Sequence, residues 1–245
     1  MSDSVLIFDP YAELPFAGYS CPVSGNQENY WSLMHFVEAE KLRGVDDDYR
    51  AYVLGLRDRE DFILETAGVA AQFDPGEFWV ANRQRALYAG LYMQLVQNKD
   101  TLMPTIIDDE VEYPSPGIKH ARNAIVERLA SREPWRRVLF MGQEKQSDRV
   151  PGILDHIFTN RMPDEMFILN EPGVSRTVEQ YAHDNYIPIR IFGDFPPSSS
   201  SKDILGSLSH VFFLGSHADA SESARRTYEA ASAQGMNIHQ VDLPE

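Results

Sequence analysis

Val138-Leu139-Phe140-Met141-Gly142-Gln143-Glu144 is a run of four apolar residues stopped by a glycine and then by polar side chains. A short apolar run bounded by a turn residue reads as a buried strand. The same form recurs downstream: Met166–Leu169 before Asn170-Glu171-Pro172-Gly173, Ile187–Phe192 before Gly193-Asp194, Val211–Leu214 before Gly215-Ser216-His217, and Asn237–Val241. Helical segments are expected between them at about 148–160, 174–185 and 218–234. Strands alternating with helices of this length predict parallel βαβ units with right-handed crossovers. Residues 134–245 are therefore expected to form a compact α/β domain. Ligands of such sheets bind at the carboxyl ends of the strands. That places Gly142, Asn170, Gly173 and Gly215 among the candidate ligand-binding positions. A glycine at a strand end either stops the strand or lets the backbone approach a ligand closely, and the sequence leaves both open.

The pattern differs before Pro134. Leu33, Phe36, Val37 and Ala39 belong to one helix-like run, and Leu87, Leu91, Leu95 and Val96 to another. The second helix is expected to start after Asp74-Pro75-Gly76, with Asp74 able to cap it, and to end near Pro104. Tyr113–Gly117 reads as a loop, and Ile118–Arg132 as a polar helix with Ile125, Val126 and Leu129 on one side. Residues 1–133 are thus expected to form a separate, mainly helical α+β domain.

Composition narrows the function classes. A hydrophobic content of 43% supports real cores. The net charge of −15 is spread over both halves with no basic stripe, which disfavours direct binding to a nucleic-acid backbone. An acidic face could instead serve solubility or dock a protein partner. No apolar run approaches the roughly 20 residues that span a bilayer, so no membrane association is expected. Met1-Ser2-Asp3-Ser4 lacks a basic leader region, and the single cysteine, Cys21, fits a reducing cytoplasm. Histidines and acids do not fall at metal-ligand spacings, so neither metal nor cofactor is expected. Asp46-Asp47-Asp48 reads as a solvated loop, a helix cap or a cation site.

The segment Tyr30–Lys41 carries the densest set of candidate chemistry. On a helix, Met34, Glu38 and Lys41 share a face, with His35 at its flank. Glu38 and Lys41 form either an ordinary surface pair or part of a pocket. Tyr30, Trp31, Phe36, Phe78 and Trp79 are either core or the walls of a nucleobase pocket. This segment resembles the signature of the NADAR (YbiA-like) family, in which Glu-His-Tyr-Phe-Gln-Ala-Gln-Lys follows an aromatic residue. His35, Phe36, Ala39 and Lys41 fall on that pattern, Trp79 fits the family's second tryptophan, and Leu91, Gln97 and Asn98 keep the spacing of the next helix. The resemblance covers about residues 10–130. It implies cleavage of N-glycosidic bonds in ADP-ribose-type or phosphoribosylated substrates, a hydrolase chemistry that needs a carboxylate beside an oxocarbenium-like centre. The motif glutamate aligns with Met34, a later Asp-x-x-Trp-Gly segment is absent, and an expected lysine aligns with Gln94. Glu38, one turn from Met34, is the carboxylate on offer, with Lys41 to hold phosphate or the leaving group and Trp79 to stack on a base. Tyr30, Met34 and His35 complete the expected pocket.

Residues 136–243 resemble a SLOG domain of the YspA/YpsA-like kind, a Rossmann-like fold for nucleotide-derived ligands. Asn170-Glu171-Pro172-Gly173-Val174-Ser175 occupies the place of its Gly-x-x-Gly-x-Asp loop, Tyr181-Ala182 follows, and Lys202-Asp203 stands where the family has an Arg-Asn pair. The two resemblances together imply a nucleotide-type small molecule as ligand, with binding as the first expectation and N-glycosidic hydrolysis through altered catalytic residues as the second. The alternative is a catalytically inactive interaction protein with an acidic surface, an inhibitor or nucleotide-sensing adaptor of the kind found in conflict between bacteria and phages; a homo-oligomer is left open.

Overall fold

The computed structural model describes residues 6–21, 24–68, 72–193 and 201–243. Asp194 lies outside them, as do the side chains of Lys202 and Asp203. The fold is mixed α/β, and its chain contacts gather into two compact units, Met1–Arg132 and Glu133–Glu245.

The first unit opens with an antiparallel hairpin, β1 (Phe16–Ser20) and β2 (Gln27–Tyr30). Sequence patterning does not predict it, because Gln27-Glu28-Asn29-Tyr30 has no apolar alternation. Tyr30 therefore ends a strand and does not lie in the helix that follows. That helix, α1 (Leu33–Leu42), starts after the N-cap Ser32. Next come α2 (Asp47–Gly55), α3 (Arg59–Gly68), α4 (Glu77–Gln97), α5 (Lys99–Ile107) and α6 (Pro116–Ala130). Asp46 caps α2, accepting the Tyr49 N–H at 2.9 Å, which is one of the roles expected of the acidic run.

Three boundaries differ from expectation. Gly76, not Asp74, is the N-cap of α4 and offers no side-chain bond; a capping carboxylate reaches N–H groups only two or three residues ahead of it. Pro104 does not end a helix but lies within α5, which restarts after Asn98 and tolerates the loss of one hydrogen bond. Pro116 and Gly117 belong to α6 and not to the preceding loop, because Ser115 caps the helix and proline suits its first turn.

Polar side chains of α4 tie the hairpin down. Gln97 Oε1 accepts the Ala17 N–H and its Nε2 donates to the Ala17 carbonyl, both at 2.8 Å. Gln94 Nε2 donates to Leu14 O at 3.0 Å and Asn98 Nδ2 to Pro15 O at 2.9 Å. Below the hairpin, Arg50 is only 2% exposed. It donates twice to the Glu28 carboxylate, each at 2.5 Å, and once to Ala39 O at 3.1 Å.

The second unit is a five-stranded parallel sheet flanked by helices. Its strands are β3 (Arg137–Gly142), β4 (Glu165–Leu169), β5 (Ile189–Phe192), β6 (His210–Leu214) and β7 (Ile238–Val241), in spatial order β5-β4-β3-β6-β7. The connecting helices are α7 (Val150–Ile157), α8 (Val174–Asp184), α9 (Ser201–Ser207) and α10 (Glu222–Ala233). The strands fall where their apolar runs predict them. Helix α9 is not predicted, since it is short and polar, and the expected segment at 218–234 divides into a 3-10 turn at His217–Asp219 and α10.

Side chains of β3 alternate between two apolar layers. Leu139 and Met141 pack with Phe167, Phe213, Leu205 of α9, and Ala224 and Ala231 of α10. Phe140 faces the other way, edge-on to Phe158, whose ring meets Tyr181 of α8. Val138 through Met141 are all fully buried, so the four-residue run is a central strand covered on both faces.

Gly142, Gly173 and Gly215 serve close approach of protein to protein, whereas Gly193 has open space around it. A Cβ on Gly142 would lie 2.0 Å from the Leu214 carbonyl oxygen. On Gly173 it would lie 2.1 Å from Glu144 O, and on Gly215 2.2 Å from Gln143 Oε1, at φ values of +74° and +92°. We predict that Gly142→Ala destabilises the protein by about 1–3 kcal/mol or more, because the obstructing atom is backbone of the neighbouring strand. Gly152→Ala, within α7 and with open space around its Cα, is expected to be neutral or to stabilise by about 0.5–1 kcal/mol. Urea unfolding of the two variants checks both signs.

Candidate functional site

The chain leaves β3 on one side of the sheet, building β4 and β5, and returns on the other side as β6 and β7. Loops diverge at such a reversal and leave a crevice outside the carboxyl ends of the two central strands. A cavity of about 500 Å³ sits there, lined by Gln143, the loop Lys145–Arg149, Ser216, Asp219 and Leu243.

Gln143 sets the floor of this crevice. Its N–H donates to Leu214 O at 3.0 Å and its carbonyl accepts from Val174 N–H at 3.2 Å. Its Nε2 donates to Lys145 O at 3.3 Å. Glu144 N–H donates to Asp219 O at 3.0 Å, which ties the loop after β3 to the loop after β6. Beyond these ties the loop is open. Among the described residues, no backbone carbonyl accepts from the N–H groups of Lys145, Gln146, Ser147 or Asp148. These residues lead directly into α7, whose N-terminal end favours negative charge. Lys145 and Arg149 add two cations, while Ser147, Ser216, Gln143 and the Asp219 carboxylate supply hydrogen-bonding groups. Among the described residues no aromatic side chain lines the cavity, so it suits phosphate and sugar more than a stacked base.

The loop after β4 is occupied differently. Asn170 N–H donates to Phe192 O and Glu171 N–H to Leu169 O, at 2.7 and 2.9 Å. Asn170 Oδ1 accepts from Arg176, and the Glu171 carboxylate accepts from Ser221. Burial, reinforced by the Glu144 charge, raises the pKa of Glu171. Ser175 is buried. Asn170 and Gly173 are thus engaged in holding loops together, Ser175 is buried in α8, and none of the three lines the cavity. Gly142 and Gly215 border it through their successors Gln143 and Ser216. Lys145 to Arg149 carry the most polar wall and were not among the residues singled out from sequence. The available signal was their position, a charged polar loop directly after the first strand of a βαβ unit.

In the first unit, the residues of the Tyr30–Lys41 segment separate. Tyr30 is fully buried, its ring 5.1 Å from Phe36 and its hydroxyl donating to Glu28 at 2.8 Å. Met34 packs against the core cluster of Leu42, Val53 and Phe62. Glu38 is 6% exposed and receives the Lys41 ammonium at 2.6 Å. Trp79 is buried in α4. His35 is held at both nitrogens, with Nδ1 2.9 Å from Ser32 Oγ and Nε2 2.8 Å from Leu56 O, and its ring stacks on Phe62 at 3.9 Å. The Leu56 carbonyl can only accept, so the Nε2–H tautomer is required and Ser32 Oγ–H donates to Nδ1. A smaller cavity, about 180 Å³, is lined by Tyr11, Glu13, Trp31, Ser32, His35, Arg57, Arg59 and Phe62. Of the residues weighed from sequence as pocket formers, Trp31 and His35 line it, and Tyr30, Met34, Glu38, Lys41 and Trp79 do not.

Among the described residues, no group of three or more His, Cys, Asp or Glu side chains could hold a metal ion, and no helix is long and apolar enough to cross a membrane. No family model matches the chain, and no curated protein matches it.

Burial lowers the pKa of His35 from 6.5. The unfolded chain therefore binds the proton more readily than the native protein, and stability falls as pH drops below about 6.5. His35→Gln should be less stable than the parent at neutral pH, with the gap narrowing on acidification; urea midpoints of both proteins between about pH 7 and 5.5 measure it.

Proposed function

We propose that this chain binds a phosphorylated, nucleotide-derived small molecule in the crevice between β3 and β6, and that it binds without turning the ligand over. The observation that carries the proposal is the cavity of about 500 Å³ at the reversal of strand order, with Lys145, Arg149 and open backbone N–H groups on one wall. That volume lies within the roughly 300–1,000 Å³ of small-molecule sites. Phosphate groups would lie against Lys145, Arg149 and the start of α7, and sugar hydroxyls against Ser216 and Asp219. The resemblance of residues 136–243 to a SLOG domain points to the same ligand class, with ADP-ribose or NAD as the first candidates.

N-glycosidic hydrolysis, the activity implied by the NADAR resemblance, would need the Glu38 carboxylate and Lys41 beside a substrate. Their mutual ion pair at 2.6 Å and their absence from either cavity wall favour binding over turnover. The ion pair satisfies both charges already, and displacing it would leave a carboxylate at 6% exposure without its cation.

Thermal unfolding with ADP-ribose, NAD and AMP tests this function. Ligand at 100 times its dissociation constant adds about 2.7 kcal/mol of stability. We expect such a shift with at least one nucleotide, its loss in the double variant Lys145→Ala/Arg149→Ala, its retention in Lys41→Ala, and no product released from NAD. A shift that survives the double variant and disappears in Lys41→Ala would move the ligand to the first unit and overturn the proposal.

A further inference from the structure

The smaller cavity of the first unit carries a cation, Arg57, that makes no ion pair among the described residues. Arg57 follows α2 directly, and its guanidinium carbon stands 4.1 Å over the Trp31 ring. Among the described residues Arg57 has no carboxylate or carbonyl partner, whereas its neighbour on the cavity wall, Arg59, is committed to Asp9 at 2.6 Å. Stacking on an indole fixes the plane of a guanidinium and leaves its N–H edge free, an arrangement suited to a planar oxyanion held by two parallel hydrogen bonds. The remaining walls are Tyr11, Phe62 and His35, with Ser32 Oγ as a further polar group and the exposed Glu13 at the margin. His35 is fixed as a neutral ring by Ser32 and Leu56, so it adds an apolar, rigid wall and no competing charge.

Size narrows the ligand. About 180 Å³ is the space of about six waters, below the roughly 300 Å³ at which sites for larger ligands begin. A whole nucleotide does not fit. Aromatic walls on more than one side favour a flat body over a compact tetrahedral ion.

We propose that this cavity is a second ligand site that takes a small planar carboxylate, with Arg57 as the bidentate donor and Trp31, Tyr11 and Phe62 as the walls that hold its flat body. Arg57 pairs with the carboxylate edge-on while Trp31 keeps the guanidinium in plane. Glu13, at the margin and unpaired with Arg57, excludes ligands carrying a second negative charge at that end.

Sodium benzoate and inorganic phosphate are the probes, and the indole N–H signal of Trp31, assigned by its loss in Trp31→Phe, is the readout in the full chain. Benzoate at millimolar concentration should shift that signal saturably and phosphate should not. Arg57→Lys, which keeps the charge and removes the fork, should weaken benzoate binding by about tenfold or more, and Arg57→Gln should abolish it. Arg57 is exposed and outside the core, and an unchanged unfolding midpoint of Arg57→Lys confirms that the loss is local. The proposal is overturned by no saturable shift with benzoate, by equal benzoate affinity in Arg57→Gln, or by phosphate binding more tightly than benzoate. None of these outcomes depends on nucleotide binding at Lys145 and Arg149.

Discussion

The carboxyl ends of β3 and β6 meet backbone to backbone, and the second unit depends on that contact. Gly142 leaves no room for a side chain against the Leu214 carbonyl, and the Gln143 N–H then donates to that same carbonyl. Two parallel strands packed this closely force their outgoing loops apart, because one must cross to α7 and the other to α10. The crevice follows from that divergence and not from any single binding residue. Gly173 and Gly215, at positive φ, let the loops after β4 and β6 fold onto Gln143 and Glu144, so the floor of the crevice is rigid while the wall at Lys145–Arg149 stays open.

The first unit is organised by a buried charge. Arg50, in α2, reaches Glu28 on the hairpin and Ala39 O on α1. Removing either partner of such a pair strands the other and costs about 3–5 kcal/mol, so hairpin, α1 and α2 are held as one piece. The same α1 carries Glu38 and Lys41, paired to each other, and His35, locked at both nitrogens. Side chains that would be free in a hydrolytic site are here spent on packing and ion pairs. Arg57, outside the signature segment, and Trp31, inside it, are the residues on which the proposed carboxylate site of this unit draws.

Much of the second unit was legible because its inner strands β3, β4 and β6 are buried on both faces. Val138–Met141 and Val211–Leu214 must then be continuous apolar runs, and glycine must follow where neighbouring backbones touch. The hairpin was not legible, since Gln27-Glu28-Asn29-Tyr30 is held by Arg50 and its partner strand by Gln97 on α4, contacts far away in sequence. The glycine rim was legible in place but not in role: geometry assigns it to loop packing. Lys145–Arg149 went unmarked because a polar loop has no periodicity; only the strand order turns it into a wall. Similarly, the helical spacing of Met34, Glu38 and Lys41 does put them on one helix, yet spacing alone does not reveal that Glu38 is buried against its own lysine.

Hydrogen exchange of the full chain with and without saturating ADP-ribose tests the central claim most directly, because it reads where a ligand sits without relying on a variant. The account predicts slowed exchange at the amides of residues 143–150 and 215–219, with residues 30–41 unchanged. Protection confined to residues 30–41, or none at all with ADP-ribose, NAD or AMP, would contradict it.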